Sequence, residues 1–272
     1  MSNLDYSLAL PVLAIAFSFS GVNSAAAFPV YFSGNAGGWT CIGTCGIDGP
    51  DGDVPASPKG PFSPLYGFVS TDGGPLMQGL SVPGPERFGN FEYNGSILTS
   101  PVFFADAGYA LNLSFNYITS DNENWPDYAW AELLNASDNS VAAVLFTART
   151  TPSGNTVPGF SMPAINATLN PSSVTITPGA NGVTTWLPLG PSSGNCFLIG
   201  LYPGCGTTGW ISSNYDITTS GDYILEAGVV NWGNWGYDSG LAFSVSVPEP
   251  TSLILVSIGL SGIAIGRRRS AI

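Results

Sequence analysis

The run Tyr109–Tyr117, YALNLSFNY, constrains this chain most. Its side chains alternate strictly: Tyr109, Leu111, Leu113, Phe115 and Tyr117 fall on one face, with Ala110, Asn112, Ser114 and Asn116 on the other. Successive side chains of a strand point to opposite faces, so this pattern specifies a β-strand with one face buried, and no helix accommodates it. One such strand needs partners that bury the same face, and the chain supplies them. Tyr66–Ser70, Ser96–Leu98 continuing to Pro101–Phe104, Tyr128–Asn135, Val141–Thr147, Trp186–Leu189, Tyr223–Asn231 and Leu241–Val247 are short apolar or alternating runs separated by Gly, Pro, Asn and Asp. YAWAELLN and VAAVLFT read as a hairpin around Ala136–Ser140. No amphipathic helix with caps precedes the C-terminal tail. Many short strands at this spacing predict an all-β antiparallel β-sandwich, jelly-roll-like in outline. The Gly/Pro-rich stretches Gly46–Pro64 and Pro152–Pro163 read as surface insertions, and no internal repeat is present.

Charge narrows the functional classes. Of 18 acidic residues, all but Asp5 and Glu249 lie between residues 28 and 246, whereas Lys59, Arg87 and Arg149 are the only cations there. A body of sixteen carboxylates against three cations repels nucleic acid, which needs Lys and Arg to displace counterions. An aromatic content of 12% with abundant aliphatic residues argues against disorder. The chain contains no histidine, which excludes Ser-His-Asp and Cys-His catalysis. No G-x-x-x-x-G-K phosphate loop occurs.

The two ends differ in kind from the body. Leu8–Phe19 has the length of a signal-peptide apolar core, and Ala25-Ala26-Ala27 suits a cleavage site, which assigns residues 1–27 to a signal peptide and residues 28–246 to the exported domain. The segment before the apolar core is atypical, with Asp5 and no Lys or Arg. At the other end Pro248-Glu249-Pro250 precedes an uncharged run, Thr251–Gly266, and then Arg267, Arg268 and Arg269. As a helix those sixteen residues extend about 24 Å, short for a hydrocarbon core of about 30 Å but able to span with thinning and arginine snorkelling. The arginines hold that end in the cytoplasm, leaving the body outside. Either a permanent anchor or a removable one fits these physical features.

This three-part tail closely resembles the PEP-CTERM sorting signal of Gram-negative bacteria, with Val247, Pro248, Glu249 and Pro250 matching the motif and Arg267–Arg269 the basic end. The resemblance implies an exosortase partner that cleaves near the Pro-Glu-Pro, transient residence in the inner membrane, and release or transfer to the cell envelope or exopolysaccharide. The body is also similar to exported jelly-roll domains that often carry such tails, through Gly38-Trp39, Ala110–Asp121 and Ser220–Val247. That likeness implies a galactose-binding-like or concanavalin-like sandwich and, loosely, glycan or surface binding.

Within the body, Cys41, Cys45, Cys196 and Cys205 permit three pairings; the local one, Cys41–Cys45 with Cys196–Cys205, suits an exported protein, and a metal site without histidine needs all four thiols or added carboxylates. Three loops carry candidate chemistry. Asp48, Asp51 and Asp53 form a Gly-containing acidic turn. Asp121, Glu123 and Asp127, with Asn122 and Asn124, offer oxygens suited to calcium, the one cofactor the sequence suggests, and Trp125 beside them suits a sugar ring. Asn231–Asp238, NWGNWGYD, sets Trp232, Trp235 and Tyr237 among amides, a composition suited to carbohydrate. Solvated turns and core-filling aromatics are the plainer readings of all three. The body is thus expected to be a structural, adhesive or glycan-binding module, with exopolysaccharide as the candidate ligand. A glycoside hydrolase or polysaccharide lyase is the alternative, for which Glu92, Glu123, Glu132 and Glu226 supply the carboxylates and Glu132 and Glu226 lie in strands.

Overall fold

The computed structural model describes residues 38–58, 64–77, 79–83, 91–151, 154–197 and 204–246. The expected signal peptide and the sorting tail from residue 247 onward lie outside these residues. Among the described residues thirteen strands form two antiparallel sheets that face each other. The front sheet runs β1 (Thr40–Ile42), β4 (Glu92–Thr99), β12 (Gly221–Trp232), β7 (Tyr128–Asn135), β8 (Val141–Arg149), with β5 (Phe103–Ala105) also on β12. The back sheet runs β2 (Thr44–Asp48), β3 (Tyr66–Ser70), β13 (Ser239–Ser246), β6 (Ala110–Thr119), β11 (Ile211–Asp216), β9 (Thr168–Asn170), with β10 (Gly206–Thr207) also on β6.

The alternation of β6 sets the core. Leu111, Leu113, Phe115 and Tyr117 point inward with Leu241, Phe243 and Val245 of β13, and meet Ala129, Ala131 and Leu133 of β7 and Tyr223, Leu225, Ala227 and Val229 of β12. Phe115 stacks on Phe146 across the sandwich at 4.8 Å between ring centroids. The outer faces are also covered in part. On the back sheet Trp186, Leu189 and Val54 pack over Ile118, Ala242 and Tyr66. On the front sheet Val82, Met77, Leu80 and Met162 pack around Tyr128, Trp130, Val230 and Trp232. Burial on both faces is why YAWAELLN and EAGVVNW are apolar almost throughout rather than alternating.

Several expectations need correction. Trp186–Leu189 is not a strand: Leu187–Ser192 forms two 3-10 turns kinked at Gly190, with Pro188 and Pro191, whose missing N–H groups cannot serve a ladder. The stretch from Gly46 is not simply an insertion, since Gly46–Asp48 complete β2. Residues 156–166 are likewise built into the sandwich: Arg149 N donates to Thr156 O (2.9 Å), Gly159 N to Thr147 O (3.2 Å), Asn166 N to Val144 O (2.8 Å) and Val144 N to Asn166 Oδ1 (2.7 Å). They pair the outer edge of β8, which otherwise presents open donors and acceptors.

Both disulfides take the local pairing. Cys41–Cys45 spans the place where the chain passes from β1 in the front sheet to β2 in the back sheet. Gly43 makes that crossing at φ 91°, where an added Cβ would stand 2.8 Å from Gly95 O. Ser96 ties the sheets there, accepting from Thr44 N (2.7 Å) and donating to Ser70 O (2.5 Å).

Candidate functional site

A sandwich has two ends, and the strand directions assign the loops to them. β13 ends at Ser246, opposite Asn112 near the start of β6. The same end, here the tail pole, holds the β5–β6 turn, the β7–β8 hairpin tip and the β11–β12 connection. The other end, the far pole, carries residues 120–127 between β6 and β7 and residues 233–238 between β12 and β13. Two loops distant in sequence, both candidates for binding, are therefore neighbours.

Their contact is specific. Gly233 adopts φ 85°, and an added Cβ there would meet the Trp125 ring at 2.8 Å, so the indole lies directly against that backbone. Asn234 Nδ2 donates to Asp121 Oδ2 at 2.9 Å. Asp121 Oδ1 accepts from Asn122 N (2.7 Å), while Asp127 accepts from Trp232 N (2.7 Å) and Ser239 Oγ (2.6 Å). Asp238 receives the Thr71 (2.9 Å) and Ser192 (2.7 Å) hydroxyls. The Cys196–Cys205 disulfide closes the neighbouring connection, from which Phe197 N donates to Ser120 O (3.1 Å).

These contacts turn the carboxylates inward. Asp121 and Asp127 are fully buried and Glu123 is only partly exposed. Burial pushes Asp121 up to about 8, against the lowering effect of its hydrogen bonds to Asn234 and Asn122. Burial, then the neighbouring Asp121, raises Asp127 well above the usual carboxylate range. Asp121, Glu123 and Asp127, expected as calcium ligands, are not drawn into one cluster: among the described residues no three acidic, cysteine or histidine side chains gather. The carboxylate oxygens of Asp121 and Asp127 are committed to protein donors instead. In the acidic turn, likewise, Asp53 accepts from Thr185 N (2.7 Å) and Asp51 from Leu187 N (2.5 Å), fastening the 3-10 segment.

The aromatic residues divide. Trp232 is fully buried, so it offers no ring face to a sugar. A bulge between Val230 and Trp232 sets it opposite Glu92, and its ring packs 5.4 Å from the Arg149 guanidinium. Tyr237 is half-buried against Phe197, with ring centroids 4.8 Å apart. Trp235 is 77% exposed and remains available for contact, with Trp125 half-buried nearby in the adjoining loop.

Arg149 is a feature the sequence did not single out. It is fully buried, donating to Pro126 O (3.1 Å), Pro83 O (2.6 Å) and Phe160 O (3.4 Å), with its guanidinium also 5.8 Å from the Tyr128 ring. It joins three loops of the far pole. A cation placed every other residue from Thr147 on an otherwise apolar strand is the only signal that could have identified it.

The carboxylate pair considered for hydrolysis is adjacent: Glu132 of β7 stands directly opposite Glu226 of β12. Both lie on the outer face of the front sheet, away from the core residues Leu133 and Leu225. Burial and the facing Glu226 push Glu132 up to about 7; burial also raises Glu226, offset by the Trp130 indole. Such an acid–base pair has the residue types of a glycosidase, but neither member lines either of the grooves described among these residues. One groove, about 500 Å3, is bounded by Leu76, Met77 and Phe91–Tyr93; the other, about 650 Å3, lies at the tail pole beside Val102, Asn135, Ala142 and Tyr223.

Among the described residues no helix is long and apolar enough to cross a membrane. Comparison with protein families matches residues 246–270 to the PEP-CTERM protein-sorting motif. The match starts on Ser246, the last residue of β13, and indicates an exported chain that an exosortase processes. No curated protein matches the chain significantly. Among solved structures the chain is similar to the K1 cleaved adhesin domain of Lys-gingipain from Porphyromonas gingivalis W83, with 10% identity and a TM-score of 0.31 over 82% of this chain and 96% of that one. The K3 cleaved adhesin domain of the same protein matches with 10% identity and a TM-score of 0.29, over 76% and 91% of the respective chains.

Proposed function

We propose that residues 28–246 form a non-enzymatic envelope or matrix module, delivered by exosortase processing of residues 247–272, that makes structural or adhesive contacts through its far pole. The observation that carries this reading is the opposition of the two ends. The sorting match begins where β13 stops, and Trp235, 77% exposed, stands on the opposite end of the sandwich. A module held or released by one end presents the other. Matrix polysaccharide is the proposed ligand: Trp235 supplies a flat apolar face, with Trp125 and Asn234 beside it. The acidic surface favours uncharged chains over polyanions.

The test is retention of purified body on exopolysaccharide from the native host, comparing wild type with Trp235→Ala. Loss of retention with unchanged folding supports the far-pole contact; equal retention removes Trp235 from it. The hydrolase reading draws on one observation, the opposed Glu132 and Glu226. Release of reducing sugar by wild type but not by Glu132→Gln would favour it.

A further inference from the structure

The geometry points to the tail pole as a docking surface for the membrane-bound sorting enzyme itself, an inference that rests on the exosortase reading above. Ser246 is paired to Asn112 in β13, which lies between β3 and β6 in the interior of the back sheet. The processing motif begins at the next residue, Val247, and its Pro-Glu-Pro at Pro248. Four extended residues reach at most about 14 Å. Any enzyme acting within residues 247–250 therefore touches the end of the sandwich while it acts, unless β13 unzips from both neighbours. Valine, phenylalanine and leucine of β13 are core residues, so unzipping it exposes the core.

The surface that such an enzyme meets is shaped and charged. Asp216 on β11, opposite Ala110, lies two inter-strand spacings to the side of β13 and two residues beyond the level of Ser246, about 12 Å from it. The β5–β6 turn crosses between the sheets and is fastened to the β11–β12 connection by Gly108 N to Ile217 O (2.7 Å) and Ala107 N to the Ser220 hydroxyl (2.9 Å). Beyond these crossings, at the front-sheet side of the same end, opens the groove of about 650 Å3, with Val102, Ala142 and Tyr223 as its apolar wall and Asn135, Thr218 and Asp222 as polar lining. Asp106, Asp138, Asp216 and Asp222 are all exposed on this end, and no cation stands there among the described residues, where Arg149 is the sole cation and is buried at the far pole. The partner surface is thus one that carries basic groups to the aspartates and an apolar projection to the groove. Held this way, the enzyme finds the Pro-Glu-Pro segment at a fixed distance and orientation.

The test uses the full chain in its native host, with conversion of precursor to mature protein followed by pulse-chase. One variant carries Asp106→Asn, Asp216→Asn and Asp222→Asn; the other has a ten-residue Gly/Ser spacer between Ser246 and Val247. Docking predicts that both convert about three- to tenfold more slowly, since rim charges govern encounter and the spacer separates motif from docking surface. The thermal midpoints of the purified bodies should be unchanged. Wild-type rates in either variant overturn the inference, as does a spacer that accelerates conversion, which would mean that the body merely shields the bond. Wild-type chain that is never converted overturns the sorting reading as well, which separates the two failures.

Discussion

The two ends of the sandwich are built by different physics. The far pole is fused by buried polar groups: Arg149 under three carbonyls, Asp127 and Asp238 under hydroxyls and backbone N–H groups, and Asp121 holding Asn234. The tail pole is closed by backbone bonds between turns, and its aspartates face solvent. Burying unpaired polar groups is costly, so removing one member of the far-pole network leaves its partners buried without a bond. The difference teaches that buried polar contacts are concentrated in the loops beside Trp235, whereas the end at which β13 stops keeps its charges accessible.

Substitutions should expose this asymmetry. Trp232→Ala should cost about 3–5 kcal/mol in chemical denaturation, as a large buried ring leaves a cavity and the Arg149 guanidinium loses a packing face. Arg149→Met should cost about 3 kcal/mol, because three carbonyls lose a buried donor. Asp222→Asn at the tail pole should fall within about 0.5 kcal/mol of wild type. A large loss from the last substitution would erase the distinction between the poles.

A smaller effect is expected from pH. An acid whose pKa is raised by folding is protonated in the native state at pH values where the unfolded chain has already lost that proton, so stability falls as pH rises through this window. For Asp121 the window runs from the ordinary carboxylate range to about 8, and Asp127 is displaced the same way. The thermal midpoint should drop by roughly 5–10 °C between pH 5 and pH 8.5, and the Asp121→Asn, Asp127→Asn double variant should flatten the curve. A wild-type midpoint that rises over this interval would contradict the dominance of burial over hydrogen bonding at the pair.

The sequence already contained much of this. Strict alternation made β6 and its inward face legible, and the hairpin of β7 and β8 followed from two apolar runs around a polar tip. β11 was not legible, because ISSNYD has few apolar residues and is strand only through its ladders to β6 and β9. Trp186–Leu189 misled for the opposite reason: an apolar run can cover a sheet from outside as well as extend within one. The two far-pole loops were found separately by composition, but their junction at Gly233 and Asn234 depends on strand order, which composition does not encode. The depth of Trp232 depends on a bulge and on Arg149, neither visible in NWGNWGYD.

The smallest expected effect lies between the poles. Like charges directly opposite on a sheet are unfavourable, so Glu132→Gln should stabilise by about 0.5–1 kcal/mol at pH 8.5 and by much less at pH 5, where Glu132 is already protonated. Stabilisation equal at both pH values would assign the gain to packing rather than to charge.

The central claim is that one end of this sandwich is where the chain is cut during sorting, and the most direct measurement is the intact mass of mature protein recovered from the envelope of its native host. Sorting predicts a C-terminus close to Pro248, adjoining Ser246 at the end of β13. A recovered chain that still ends at Ile272, with Arg267–Arg269 in place, would contradict it.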